Sequence, residues 1–223
     1  MRITLVTDTF LPEINGVTTV LSNMRRGLLE RGHQVQVVAP AYPASGEKTG
    51  ILRVPSIPCP AYPAVRLSWP WWRGLGRAMD GFDPQVVHVA TEGPLGGYGR
   101  RYALRRRRPL VTSFHTNFPQ YAARYLGRWA QAPTRRYLAR FHRPAAVTQT
   151  PSESSRDRLR EMGISQAMVW GRGVDSRWFT PQAPERGTPR HDGSGRQDLG
   201  AARRTPGGRK GHEDLDGVVA HRP

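Results

Sequence analysis

The sequence predicts an α/β fold, a Rossmann-like doubly wound parallel sheet, and two patterns predict it. Short, continuously apolar runs of strand length recur through residues 1–182, as in strands covered on both faces. Between them lie longer stretches with apolar residues at helical spacing. Strands alternating with helices indicate a parallel sheet wrapped on both sides.

The predicted strands, in order, are 2–7, 34–39, 51–54, 85–90, 110–114, 145–148 and 167–170. The first helix is predicted over 16–31, where Val17, Val20, Leu21, Met24 and Leu28 share one face. Asn15 suits its N-cap and Gly32 its C′ position. A second helix is predicted over 95–107. Residues 119–142 read as helical but contain Pro133, which predicts two helices or a sharp kink. Ser152 can cap a helix running to Met162, closed by Gly163.

The chain of 223 residues is long enough for one domain with a real core and little of a second. Its composition changes at about residue 183. From Pro184 to Pro223 there is no Phe, Trp, Tyr, Ile or Met, and Leu occurs only at 199 and 215. Such a stretch buries too little apolar area to offset its ordering entropy, so 183–223 is expected to be a disordered tail.

The formal net charge is +17, and only Lys48 and Lys210 among the basic residues are lysines. A strongly basic chain points to an anionic partner: nucleic acid, an anionic bilayer surface or a phosphorylated substrate. Cys59 is the single cysteine, which excludes an intrachain disulfide and favours a reducing compartment. The apolar run 3–6 is too short for a secretory h-region, and no stretch approaches a membrane span. A cytoplasmic protein, peripheral at the inner face of the cell membrane, is expected.

Ligands of doubly wound sheets bind beyond the carboxyl ends of the strands. There the sequence carries Gly16 at the start of the first helix, Thr91-Glu92-Gly93 after the strand 85–90, and His115 after the strand 110–114. Free amides and the positive dipole end at Gly16 suit a phosphate; a simple turn is the other reading. Glu92 suits a sugar or acceptor hydroxyl, or a first-turn acid on the helix dipole. His115 suits a sugar hydroxyl, a phosphate or charge developing on a sugar ring, or else a backbone-satisfied loop histidine. Their convergence on one sheet edge favours the binding readings.

Basic and aromatic residues concentrate twice: at Trp69, Trp71, Trp72 and Arg73, and at Arg100, Arg101 and 105–108. Of these, Trp71, Trp72, Arg73, Arg105 and Arg106 read as a membrane or anion patch, since Trp beside Arg suits a bilayer interface. Stacking on single-stranded nucleic acid, core packing for the tryptophans and a solvated helix end for the arginines are the competing readings.

Several segments, in order, resemble family-4 retaining glycosyltransferases. The opening is Thr7-Asp8-Thr9-Phe10-Leu11-Pro12-Glu13-Ile14-Asn15-Gly16-Val17. Then come Gly32-His33-Gln34-Val35, Val87-His88-Val89-Ala90-Thr91-Glu92-Gly93-Pro94-Leu95-Gly96 and Ser113-Phe114-His115-Thr116-Asn117-Phe118-Pro119. The last are Thr150-Pro151-Ser152-Glu153-Ser154, Gly173-Val174-Asp175 and Trp178-Phe179-Thr180-Pro181. The likeness is to the branch that makes mannosyl, glucosyl and sulfoquinovosyl glycolipids.

The resemblance implies the GT-B architecture, two Rossmann-like domains facing across a cleft, with residues 1–182 as the N-terminal, acceptor-side half. It implies transfer of a hexose, such as mannose from GDP-mannose, to a lipid or glycan acceptor with retained configuration. It implies no metal or cofactor beyond the donor, and no nucleic-acid partner. Carried over, Gly16 lies by the donor diphosphate, His115 is the catalytic contact to the transferred sugar, and Asn15, Glu92 and Asp175 bind substrate. The tail does not reproduce the family's donor-binding pattern. A shift of reading frame near residue 185, leaving a remnant in place of that domain, is therefore expected, with doubtful activity for the chain alone. The alternative is a non-catalytic basic module that binds an anionic membrane or a phosphorylated ligand.

Overall fold

The computed structural model describes residues 1–43, 49–59, 62–69, 73–115, 129 and 131–171, without the side chains of 62–65 and 73. All belong to one unit, Met1–Arg177. Trp71, Trp72, Asp175, most of the predicted helical stretch before Gln131, and the predicted tail lie outside the described residues.

Seven parallel strands form one sheet: β1 (Arg2–Val6), β2 (Gln34–Pro40), β3 (Ile51–Val54), β6 (Val86–Val89), β7 (Leu110–Ser113), β8 (Val147–Thr150) and β9 (Ala167–Val169). Their spatial order is β3-β2-β1-β6-β7-β8-β9. The chain winds outward from β1 in one direction and then, through β6, in the other. The reversal between β1 and β6 is a topological switch point, where such sheets bind ligands. β4 (Ser56–Cys59) and β5 (Tyr62–Ser68) form a separate antiparallel pair.

Alternation along the strands sorts the core into two layers. Leu5, Val35, Val37 and Ala39 meet Leu21 and the partly buried Val17, Met24 and Leu28 of α1 (Gly16–Glu30). On the other face Val6, Val38, Val87, Val89 and Leu110 meet three helices. These are α2 (Arg73–Phe82) through Leu75 and Met79, α3 (Pro94–Arg105) through Leu95, Tyr102 and Ala103, and α4 (Gln131–His142) through Phe141. α5 (Glu153–Glu161) adds Leu159 to a smaller cluster with Phe114, Leu138, Ile164 and Ala167. The expected sheet wrapped on both faces is what folds.

α3 lies close to the sheet because glycines face it. A Cβ on Gly96 would stand 1.8 Å from the Thr91 carbonyl oxygen, and one on Gly99 2.9 Å from the Val6 side chain. Gly163, at φ +80°, ends α5 as the sequence predicts.

Three departures have local causes. β8 begins at Val147 because the amide of Ala145 closes a turn onto the His142 carbonyl, and Thr148, Gln149 and Thr150 all pair with β9. Pro133 does not kink a long helix: it sits in the first turn of α4, where its missing N–H has no intrahelical acceptor anyway. The β4–β5 pair and α2 go beyond the sequence pattern. α2 holds Gly74, Gly76 and Gly81 and only two buried apolar residues, Leu75 and Met79, so its periodic signal is weak.

Candidate active-site rim

The carboxyl ends of β1, β6 and β7 are neighbours in the sheet. Three loops therefore share one rim: Thr7–Asn15 before Gly16, the turn holding Glu92, and Phe114 with His115.

The first loop is fastened from several sides. Tyr42 Oη donates to Glu13 Oε2 at 3.0 Å, and Arg53 donates to the Leu11 and Pro40 carbonyls at 2.6 and 3.0 Å. Asn15 is the N-cap of α1: its Oδ1 accepts from the Thr18 amide at 2.9 Å and its Nδ2 donates to Thr9 Oγ1 at 2.8 Å. Capping leaves the first amides of α1 with no intrahelical acceptor. Gly16 is exposed, and a Cβ there would meet no atom within 4 Å. The space before the α1 amides is open to an anion.

Asp8 follows β1 and turns the other way. Its carboxylate accepts from the amides of Leu95 and Gly96 at 2.8 and 3.2 Å and from Thr91 Oγ1 at 2.7 Å. Gly93, the N-cap of α3, offers no capping side chain. Asp8 therefore caps α3 from a different element, across the switch point. A Cβ on Gly93 would lie 2.6 Å from that carboxylate. Burial raises the Asp8 pKa against the lowering effect of these hydrogen bonds.

Glu92 points inward. Its carboxylate meets His142 of α4 at 3.2 Å, with side-chain exposures of 4% and 0%. His142 Nδ1 lies 2.9 Å from Thr112 Oγ1, which lies 3.0 Å from Thr148 Oγ1. Tyr137 of α4 donates to the Glu92 carbonyl. Burial raises the Glu92 pKa, the His142 hydrogen bond opposes this, and nearby Asp8 adds to it. The carboxylate thus ties α4 to the rim from beneath instead of facing the opening.

His115 is half-buried at the end of β7, in a small cleft with Phe114, Gln149, Thr150, Pro151 and Trp170. Behind it on the same strand, Ser113 Oγ is 2.7 Å from His88 Nε2. Burial, with the neighbouring His115, lowers the His88 pKa from 6.5 to about 3, so that imidazole is neutral.

The fold brings Asn15, Gly16 and His115 to one rim, with Glu92 immediately below it. Arg105 and Arg106 lie elsewhere, at the far end of α3, where Arg106 pairs with Asp80 at 2.5 Å. Arg73 opens α2, and Trp71, Trp72 and Asp175 are outside the described residues. Sequence reasoning does not single out Asp8 or His142. A signal for Asp8 is nevertheless present: a helix opening Gly93-Pro94 has no capping side chain of its own and so requires one from elsewhere. Among the described residues, no group of three or more His, Cys, Asp or Glu could hold a metal ion.

The architecture defines a class: a Rossmann-like domain with a topological switch point between β1 and β6. Residues 14–178 match the family model described as Glycosyltransferase Family 4, and the chain belongs to that family. It is 34% identical over 191 residues to a GDP-mannose-dependent alpha-mannosyltransferase of Mycobacterium tuberculosis, covering 82% of this chain and 50% of that one. It is 29% identical over 174 residues to a sulfoquinovosyl transferase of Arabidopsis thaliana, covering 76% and 34%. The chain thus spans about half the length, or less, of these curated relatives. Among solved structures, sucrose-phosphate synthase from Thermosynechococcus elongatus superposes with a TM-score of 0.57 at 12% identity, over 79% of this chain and 49% of that one. That likeness shows the fold. The resemblance seen in the sequence, to the glycolipid-synthesising branch of the family, agrees with these findings.

Proposed function

We propose that this protein acts in retaining transfer of a hexosyl group from a nucleotide sugar to a lipid or glycan acceptor, as the acceptor-side domain. Residues 1–182 form that domain in this reading. GDP-mannose is the first donor to test, because the mycobacterial relative is named for it. The observation that carries the proposal is the rim: an open α1 N-terminus at Gly16 and an imidazole at His115, on the loops after β1 and β7, the two strands that flank β6.

In this reading the donor diphosphate lies against the α1 amides, and Gly16 lets it approach. Asn15 holds that turn in place. The bond from the anomeric carbon to the diphosphate breaks, and a bond to the acceptor oxygen forms on the same face of the ring. The hydroxyl proton leaves with the departing phosphate. His115 contacts the transferred sugar as positive charge builds on its ring. Glu92 positions the rim through His142 and Tyr137, and Asp175 contributes substrate contact from its own segment. The protein's residues need no metal for these roles.

The protein works at the cytoplasmic face of the membrane in this reading, held there peripherally. The net charge of +17 and the two sequence runs Trp71-Trp72-Arg73 and Arg105-Arg106 support an anionic surface. Among the described residues no helix is long and apolar enough to cross a membrane.

The test uses labelled GDP-mannose and UDP-glucose with membrane lipid extract. Saturation-transfer NMR on the same samples reads donor binding. Label in the organic phase with an α-linkage, or donor binding that Gly16→Val abolishes, supports the reading. A version extended by a relative's second domain that folds yet neither binds nor transfers either sugar overturns it.

A further inference from the structure

The outer surface of the helical layer carries a second basic feature, lined by none of the rim residues. Arg100 of α3 and Arg136, Arg140 and Arg143 at the end of α4 line one groove of about 480 Å³, completed by Ala139 and Pro144. None of these lining residues is acidic. Neither Gly16 nor His115 lines this groove.

Three arginines elsewhere have acidic partners: Arg106 pairs with Asp80, and Arg108 and Arg2 share Asp83. On the α4 flank the arrangement differs. Arg136, Arg140 and Arg143 are exposed and have no ion pair among the described residues. Arg100 is fixed in place: it donates to the Phe141 and Arg140 carbonyls at 2.9 and 3.0 Å, and its guanidinium lies 5.9 Å from the centre of the Phe141 ring. Burial lowers the Arg100 pKa, and the adjacent Arg140 charge lowers it further. The fold thus holds like charges together in a concave site with no counter-ion among the described residues. Guanidinium groups lining one groove can donate to the oxygens of a phosphate group.

We infer that the groove of Arg100, Arg136, Arg140 and Arg143 binds a phosphate-bearing anion, at a site separate from the rim that holds the transfer reaction. A soluble phosphate ester and a phospholipid headgroup share this chemistry, and the two arms of the test separate them.

The test compares wild type with Arg136→Ala/Arg140→Ala, which leaves Arg100 holding the end of α4. Arg158→Ala/Arg160→Ala, on the exposed surface of α5 and outside the groove, removes equal charge. One arm titrates inorganic phosphate and pyrophosphate by calorimetry. The other sediments phosphatidylcholine vesicles with and without phosphatidylglycerol. Thermal unfolding confirms that each variant is folded.

The expected result is a roughly tenfold loss of affinity in the groove variant and little loss in the α5 variant. A response in the soluble arm assigns a free phosphate ester. A response confined to anionic vesicles assigns a headgroup. Equal losses in both variants, or no binding in either arm, overturn the site. Sugar transfer is not a readout, so failure here leaves the reading of the rim standing, and failure of the rim leaves the groove standing.

Discussion

Glu92 and His142 meet at 3.2 Å in the layer between the sheet and α4, both side chains almost wholly withdrawn from solvent. The contact joins the turn after β6 to a helix residue 50 positions further along the chain. Removing one member of such a pair leaves the other buried without its partner, which costs more than the pair contributes.

His142→Ala is therefore expected to destabilise the fold by about 3 kcal/mol, and Glu92→Gln, whose amide can still hydrogen-bond, by about 1 kcal/mol. Denaturant unfolding measures both. Equal costs would mean that the contact depends on the carboxylate charge and that a hydrogen-bonding amide cannot replace it.

His88 predicts a pH dependence. Its folded-state pKa is about 3 against an ordinary 6.5. Between these values the unfolded chain takes up a proton that the folded chain refuses. Stability is complete above the upper value and falls as pH drops toward the lower one. His88→Gln removes this contribution. The stability of wild type relative to that variant should fall by about 1.4 kcal/mol per pH unit below pH ~6.5. Parallel curves for the two proteins would contradict a neutral buried imidazole.

The glycines of α3 predict a contrast between near neighbours. Gly96→Ala drives a methyl group into the Thr91 carbonyl, whereas a Cβ on Gly97 meets nothing within 4 Å. Gly96→Ala should cost more than about 2 kcal/mol. Gly97→Ala should be neutral or stabilise by up to about 1 kcal/mol through helix propensity. Thermal unfolding of the two variants decides.

Gly16 predicts a separation of stability from binding. Gly16→Ala should leave stability within about 0.5 kcal/mol of wild type, because the space it enters is empty of protein. Donor binding should weaken several-fold, because that space faces the α1 amides. His115→Ala should likewise leave the fold intact while transfer falls about a hundredfold. Calorimetry, unfolding curves and the label assay together check both variants.

Much of this architecture can be read from residues alone. The apolar runs of β1, β2, β6 and β7 announce a buried parallel sheet. Asn15 and Ser152 announce helix starts, and their side chains do accept the expected amides, from Thr18 and Ser155. The rim follows from topology, since a residue after a parallel strand must lie at its carboxyl edge. The direction of a side chain at that edge is not legible in the same way. Glu92 lies just beyond β6, and the inward choice depends on His142, placed there by a helix whose own start is obscured by Pro133. Asp8 looks like a strand terminator until α3 is seen to lack a cap. The β4–β5 pair and α2 escape because proline, glycine and tryptophan interrupt any regular period there.

The cap that Asp8 places on α3 makes the two helix starts at this rim unequal. Two helices open beside the switch point, and each would present a positive end to whatever lies between them. At α3 the protein's own carboxylate already occupies that end. For the proposed donor, with its charge at one end, this leaves α1 as the helix start that no carboxylate caps, and so one favoured heading across the rim.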